Sequence, residues 1–156
     1  PLLEPLRTRL HITHQTGDAD FEKVSSAYRD AGWEKANITK YVDNMVNAFA
    51  NVDLVICRAG ATTTAELIAA GKASLMIPFP LAADDHQRKN AEALQAAGGT
   101  IMILQADLSA ERLAREINTL ASQPELITAM EQSSRSLARG DAAAAVVDLI
   151  EELVKK

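Results

Sequence analysis

Apolar and polar positions follow two rhythms along the chain, and they alternate. Short apolar runs recur, each followed by a stretch with apolar residues at helical spacing, and Gly or Pro marks most junctions. The runs over 10–14, 36–42, 54–58, 73–79 and 100–104 predict strands. The stretches over 20–31, 43–50, 63–70 and 85–97 predict helices, with Gly32, Gly71 and Gly98-Gly99 as stops. Leu54-Val55-Ile56-Cys57 is apolar at every position, as expected of a strand buried on both faces. From 106 onward the pattern is helical only. Leu108, Leu113, Ile117 and Leu120 define a helix begun by Ser109, and Pro124 opens another carrying Leu126, Ile127 and Met130. Asp141 caps a last helix over 141–153, whose apolar face is Val146, Val147, Ile150 and Leu153.

This order predicts an α/β fold: a Rossmann-like parallel sheet with helices on both faces and a helical C-terminal segment. The expected organisation is a single domain over 1–156, with strands and helices alternating over 1–105 and helices alone over 106–156. In such sheets ligands lie beyond the carboxyl ends of the strands, so the chemistry is sought just after each strand.

Composition narrows the classes. At 156 residues and 47% hydrophobic, the chain can bury one core. A net charge of −5 argues against nucleic acid. Cys57 is the only cysteine, so no internal disulfide can form and a reducing cytosol fits. Its apolar neighbours make it a packing residue rather than a nucleophile. No run approaches the roughly 20 apolar residues of a membrane span, and the N-terminus lacks the pattern of a signal peptide. Pro1-Leu2-Leu3-Glu4-Pro5-Leu6 has no initiator Met and reads as the interior of a longer protein.

Two post-strand loops carry candidate chemistry. The first is Arg58-Ala59-Gly60-Ala61-Thr62-Thr63-Thr64-Ala65-Glu66, which joins a strand directly to a helix. Gly60 allows a tight turn and close approach of a ligand. The first amides of the helix suit a diphosphate, and the threonines add hydroxyls. Glu66, placed in the first turn, can accept from two adjacent hydroxyls such as a ribose diol. Thr63-x-x-Glu66 is equally a capping box, in which Glu66 serves only the helix end. The loop has neither the Gly-Lys-Ser/Thr of a Walker A motif nor three spaced glycines.

The second loop runs from Pro78-Phe79-Pro80 through Asp84-Asp85-His86-Gln87 to Asn90. Asp84 or Asp85 can cap the following helix. Gln87 and Asn90 share one helical face, and their amides both donate and accept, as sugar hydroxyls do. A plain solvated first turn is the alternative. Three adjacent residues such as Asp84, Asp85 and His86 do not converge on one ion, so no metal or other cofactor is expected.

Together, His14-Gln15-Thr16-Gly17 and these two loops resemble the MurG family, the undecaprenyldiphospho-muramoylpentapeptide N-acetylglucosaminyltransferases, in order and spacing across nearly the whole chain. The resemblance implies one half of a GT-B fold, the C-terminal domain that binds the donor. It implies transfer of N-acetylglucosamine from its UDP derivative to lipid I, giving lipid II with inversion, without a metal. By matching position, Glu66 would bind the ribose diol, and Gly60 with Ala61, Thr62, Thr63, Thr64 and Ala65 would line the phosphates and sugar. Gln87 would bind the hexose with Asn90 beside it, and Val42 would hold the uracil through its backbone.

The resemblance also implies a leading strand with a glycine-rich phosphate loop, and an N-terminal acceptor domain supplying the general base. These 156 residues contain neither, so no catalytic residue is assigned here, and the chain alone is expected to be inactive. It would be soluble, with the full-length enzyme on the cytoplasmic face of the inner membrane and lipid I engaged through the other domain. The alternative is a non-catalytic nucleotide-sugar-binding subunit working with a separate membrane partner.

Overall fold

A computed structural model describes residues 2–138; the helix expected over 141–153 lies outside the described residues. After a short 3-10 turn at Glu4–Leu6, the elements are β1 (Thr13–Gln15), α1 (Gly17–Asp30), β2 (Asn37–Thr39), α2 (Met45–Ala50), β3 (Leu54–Cys57), α3 (Ala61–Ala70), β4 (Ala73–Met76), α4 (His86–Ala96), β5 (Thr100–Met102), α5 (Ala110–Ser122) and α6 (Pro124–Ser136). All strand pairs are parallel, as strand–helix alternation requires.

The sheet differs from the expected one in extent. Among the described residues it forms two parts, β1–β2 and β3–β4–β5. Each strand is also shorter than its apolar run. Leu10 and His11 precede β1, Tyr41 and Val42 follow β2, and Ile77 to Phe79 follow β4. Hydropathy marks what is apolar, whereas the ladder ends where the chains part. Ile77 still donates to Cys57 O at 2.9 Å, and beyond it the two chains separate into loops.

The β3–β4–β5 sheet carries helices on both faces. Leu75 and Ala73 of β4 pack with Leu120 of α5 and Met130 of α6. Met76 packs on the opposite side with Phe49 of α2, Leu67 of α3, and Ala91 and Leu94 of α4. Alternate residues of one strand thus enter opposite layers, which is why β4 is buried at all four positions. The same burial expected for β3 does not hold. Ile56 is 44% exposed, because β3 is the outer strand of its sheet among the described residues.

Helix ends follow local chemistry with two exceptions. Gly71 ends α3 at φ +61°, a conformation that costs other residues free energy. Ser109 caps α5, accepting from Arg112 N at 3.1 Å, and Asn44 caps α2 in the same way through Asn47 N at 2.9 Å. The first exception is α3, which starts at Ala61, two residues before the predicted start. The second is α4: Asp85 occupies its cap position but makes no side-chain cap bond. Asp84 and Asp85 both take left-handed backbones, with φ of 50° and 54°. Their side chains therefore do not act as the expected caps.

Candidate functional site

Each predicted site residue stands at or beyond the carboxyl end of a strand. β3 leads through Arg58 and Ala59 to Gly60, which is the N-cap of α3 with φ −63° and ψ 151°. That backbone is open to any residue, so Gly60 is not demanded by the turn. A Cβ there would meet only Thr63 Oγ1, at 4.0 Å, and otherwise open space. The missing side chain leaves room directly in front of the helix.

The earlier start of α3 reassigns the loop. Ala61, Thr62 and Thr63 are the first three helical residues, and no side chain caps them. Their amides point out of the helix N-terminus without an intrahelical acceptor. Thr64 N already donates to Gly60 O at 2.9 Å, and Thr64 Oγ1 donates to the same carbonyl at 2.9 Å. Thr64 is buried, so its one donor is spent inside the helix. Ala65 and Glu66 are exposed in the second turn. The capping box is excluded, since Thr63 lies inside the helix and Glu66 sits beyond its first turn. Glu66 is left as an exposed carboxylate with no assigned part in the helix end.

The second loop is tied to the first. Gln87 Oε1 accepts from Phe79 N at 3.0 Å, and Asn90 Nδ2 donates to Ala59 O at 3.0 Å. Arg58 Nη1 donates to Ile77 O at 3.1 Å and Pro78 O at 3.3 Å. The N-termini of α3 and α4 are thus neighbours, and the helices pack together. The amide donors of Gln87 and the side-chain oxygen of Asn90 remain for other partners. His86 Nδ1 sits 2.6 Å from Ala83 O, a local contact at the start of α4.

Val42 lies beyond β2 on a loop held from several sides. Its N–H donates to Gln15 Oε1 at 2.9 Å, so only its carbonyl is open for a ligand. Thr39 Oγ1 donates to Tyr41 O at 2.8 Å, Gly17 N donates to Lys40 O at 2.9 Å, and Tyr41 OH donates to Asp18 Oδ2 at 3.1 Å. The Lys40 ammonium, with the Tyr41 hydroxyl, holds the Asp18 carboxyl below its ordinary range. Beside this loop is a cavity of about 390 Å³, lined by Thr13, Asn37, Tyr41, Val42, Asn44 and Asn47 among others. None of its lining residues comes from α3 or α4.

Sequence reasoning missed Gln15, Asp18 and Arg58 as supports of these loops. Gln15 and Arg58 work through backbone partners and Asp18 through the side chains of Lys40 and Tyr41, all distant in sequence, and no local pattern records that. Cys57 agrees with its packing role: burial pushes its thiol up to about 11, so it is not a thiolate near neutrality.

A parallel sheet layered by helices, with two neighbouring helix N-termini at its carboxyl edge, matches one half of a GT-B fold. The glycosyltransferase family 28 C-terminal domain matches residues 2–153, and the chain belongs to that family. It is similar to the UDP-N-acetylglucosamine–N-acetylmuramyl-(pentapeptide) pyrophosphoryl-undecaprenol N-acetylglucosamine transferase of Pelobacter propionicus, with 51% identity over 150 residues, covering 96% of this chain and 39% of the relative. The enzyme of the same name from Geobacter metallireducens is 47% identical over 148 residues, covering 95% and 40%. Among solved structures, Acinetobacter baumannii MurG superposes with a TM-score of 0.81 at 32% identity, covering 97% of this chain and 48% of that one. The chain spans about two fifths of the length of the curated relatives it matches.

Proposed function

We propose that this chain is the donor-binding part of an inverting glycosyltransferase that moves N-acetylglucosamine from its UDP derivative to lipid I, giving lipid II for peptidoglycan. The observation that carries the reading is the uncapped start of α3, where three outward amides face the open space left by Gly60. The names of the relatives at 51% and 47% identity supply the donor and acceptor classes.

In this reading the amides of Ala61, Thr62 and Thr63 and the hydroxyls of Thr62 and Thr63 hold the diphosphate. Glu66, one turn further on, accepts from the ribose hydroxyls. Gln87 donates to the hexose, Asn90 holds Ala59 and with it the loop, and the Val42 carbonyl meets the uracil. As the bond from sugar to phosphate breaks, negative charge grows on the departing UDP. A fixed helix N-terminus stabilises that charge without reorganising, and removing one such donor typically costs about 3 kcal/mol in the transition state. Deprotonation of the acceptor hydroxyl falls to residues outside this chain, and lipid I is met through another domain at the cytoplasmic face of the inner membrane. No helix among the described residues is long and apolar enough to cross a membrane.

Calorimetric titration with UDP tests the reading. Saturable binding that Glu66→Ala weakens about ten- to a hundredfold supports it, the range following from the ~1.5–3 kcal/mol of hydrogen bonds to a charged group. Binding indifferent to Glu66 removes the ribose assignment.

A further inference from the structure

We infer that Arg58 is a positioning residue that sets the distance between the two halves of the donor cradle, so that a ligand reaching from α3 to α4 depends on it while a ligand confined to α3 does not. The inference rests on the donor-binding reading above. The β3–β4 ladder ends at Ile77 N and Cys57 O, 2.9 Å apart. Arg58 is the next residue, and its guanidinium continues the connection where the backbones part. It donates to two successive carbonyls, Ile77 O at 3.1 Å and Pro78 O at 3.3 Å, and lies 5.7 Å from the centre of the Phe79 ring. A planar, forked donor can hold two carbonyls and an aromatic face together.

The bonds close into a ring. Phe79 N donates to Gln87 Oε1, Gln87 belongs to α4, Asn90 one turn on donates to Ala59 O, and Ala59 follows Arg58. Arg58 therefore touches the loop whose backbone aims Gln87, while Asn90 fixes the loop from which α3 starts. A surface arginine borrowing stray carbonyls would close no such circuit. Without it, the ring joins the exit of β4 to the exit of β3 only indirectly, through Gln87 and Asn90 of α4, and the direct tie beyond the last ladder bond is lost. The N-terminus of α3 keeps its own bonds, chiefly those to Gly60 O and Ala59 O.

The test compares the dissociation constants of UDP and UDP-N-acetylglucosamine for the chain and for Arg58→Ala. UDP affinity is expected to stay within about twofold, while the sugar nucleotide weakens about tenfold relative to it, the scale of losing one hydrogen bond. Equal loss of both ligands, or an unchanged ratio, overturns the inference and leaves the reading standing. A wild-type chain that binds neither ligand overturns the reading, and the inference with it. Arg58→Lys keeps a donor but not the fork, and its ratio is expected between the other two. If Arg58→Ala fails to fold, judged by its circular dichroism, the lysine variant decides, and an unchanged ratio there overturns the inference.

Discussion

At Gly60 the absence of a side chain matters more than backbone freedom. Its φ of −63° suits alanine, and an added Cβ meets only Thr63 Oγ1 at 4.0 Å. Gly60→Ala should therefore change the melting temperature little, since the freedom it removes from the unfolded chain, worth about 0.4–1 kcal/mol, is offset by alanine's poorer fit at a helix N-cap. The same methyl projects toward the proposed diphosphate, so UDP affinity should fall at least tenfold. Calorimetry on folded protein separates the two effects, and a large loss of stability would make the glycine a structural requirement instead. Cys57 gives a second residue-scale expectation. With its thiol pushed up to about 11 by burial, alkylation at pH 8 should be slow in the native chain and fast in denaturant. Because the folded pKa lies above the ordinary value of about 9, this thiol's contribution to stability is complete below pH 9 and is lost as pH rises toward 11. A denaturation series from pH 8 to 11 reads that loss.

Among elements, the helix starts divide by what satisfies them. α5 and α2 carry side-chain caps, from Ser109 and Asn44, whereas α3 has none. Ser109→Ala should cost about 1 kcal/mol of stability in urea unfolding and leave UDP binding untouched. The sequence made the capped start at Ser109 legible, because a hydroxyl before a helical apolar pattern is a local signal. For the same reason the local pattern puts the start of α3 two residues late, at Thr63 instead of Ala61. Thr63 and Glu66 match a capping box locally, yet the helix begins as soon as β3 releases the chain at Gly60. That shift placed Glu66 outside the first turn and removed its structural role. The succession of strands and helices, the helix stops at Gly71 and Gly98, and the face shared by Gln87 and Asn90 were all legible from spacing. The bonds of Gln15 to Val42 N and of Arg58 to Ile77 and Pro78 were not, since they join residues that the fold alone brings together.

For the whole molecule, the core is a parallel sheet between two helical layers, and β4 serves both. Leu75 faces α5 and α6 with no exposed surface, so Leu75→Ala should destabilise by about 2–5 kcal/mol while leaving the carboxyl-edge loops in place. Met76, its neighbour, enters the layer that backs α3 and α4. Support for the site and the bulk of the far layer are thus carried by adjacent residues of one strand. The carboxyl edge gathers the candidate residues, but not into one cavity. Val42 lines a space beside α2, while Gly60 and Gln87 belong to the α3–α4 side.

The most direct measurement is an amide-resolved NMR titration of the chain with UDP. The account predicts the largest shifts at Ala61, Thr62 and Thr63, smaller ones near Val42, and shifts at Gln87 only once N-acetylglucosamine is attached. Saturable binding that moves none of the three α3 amides would contradict it.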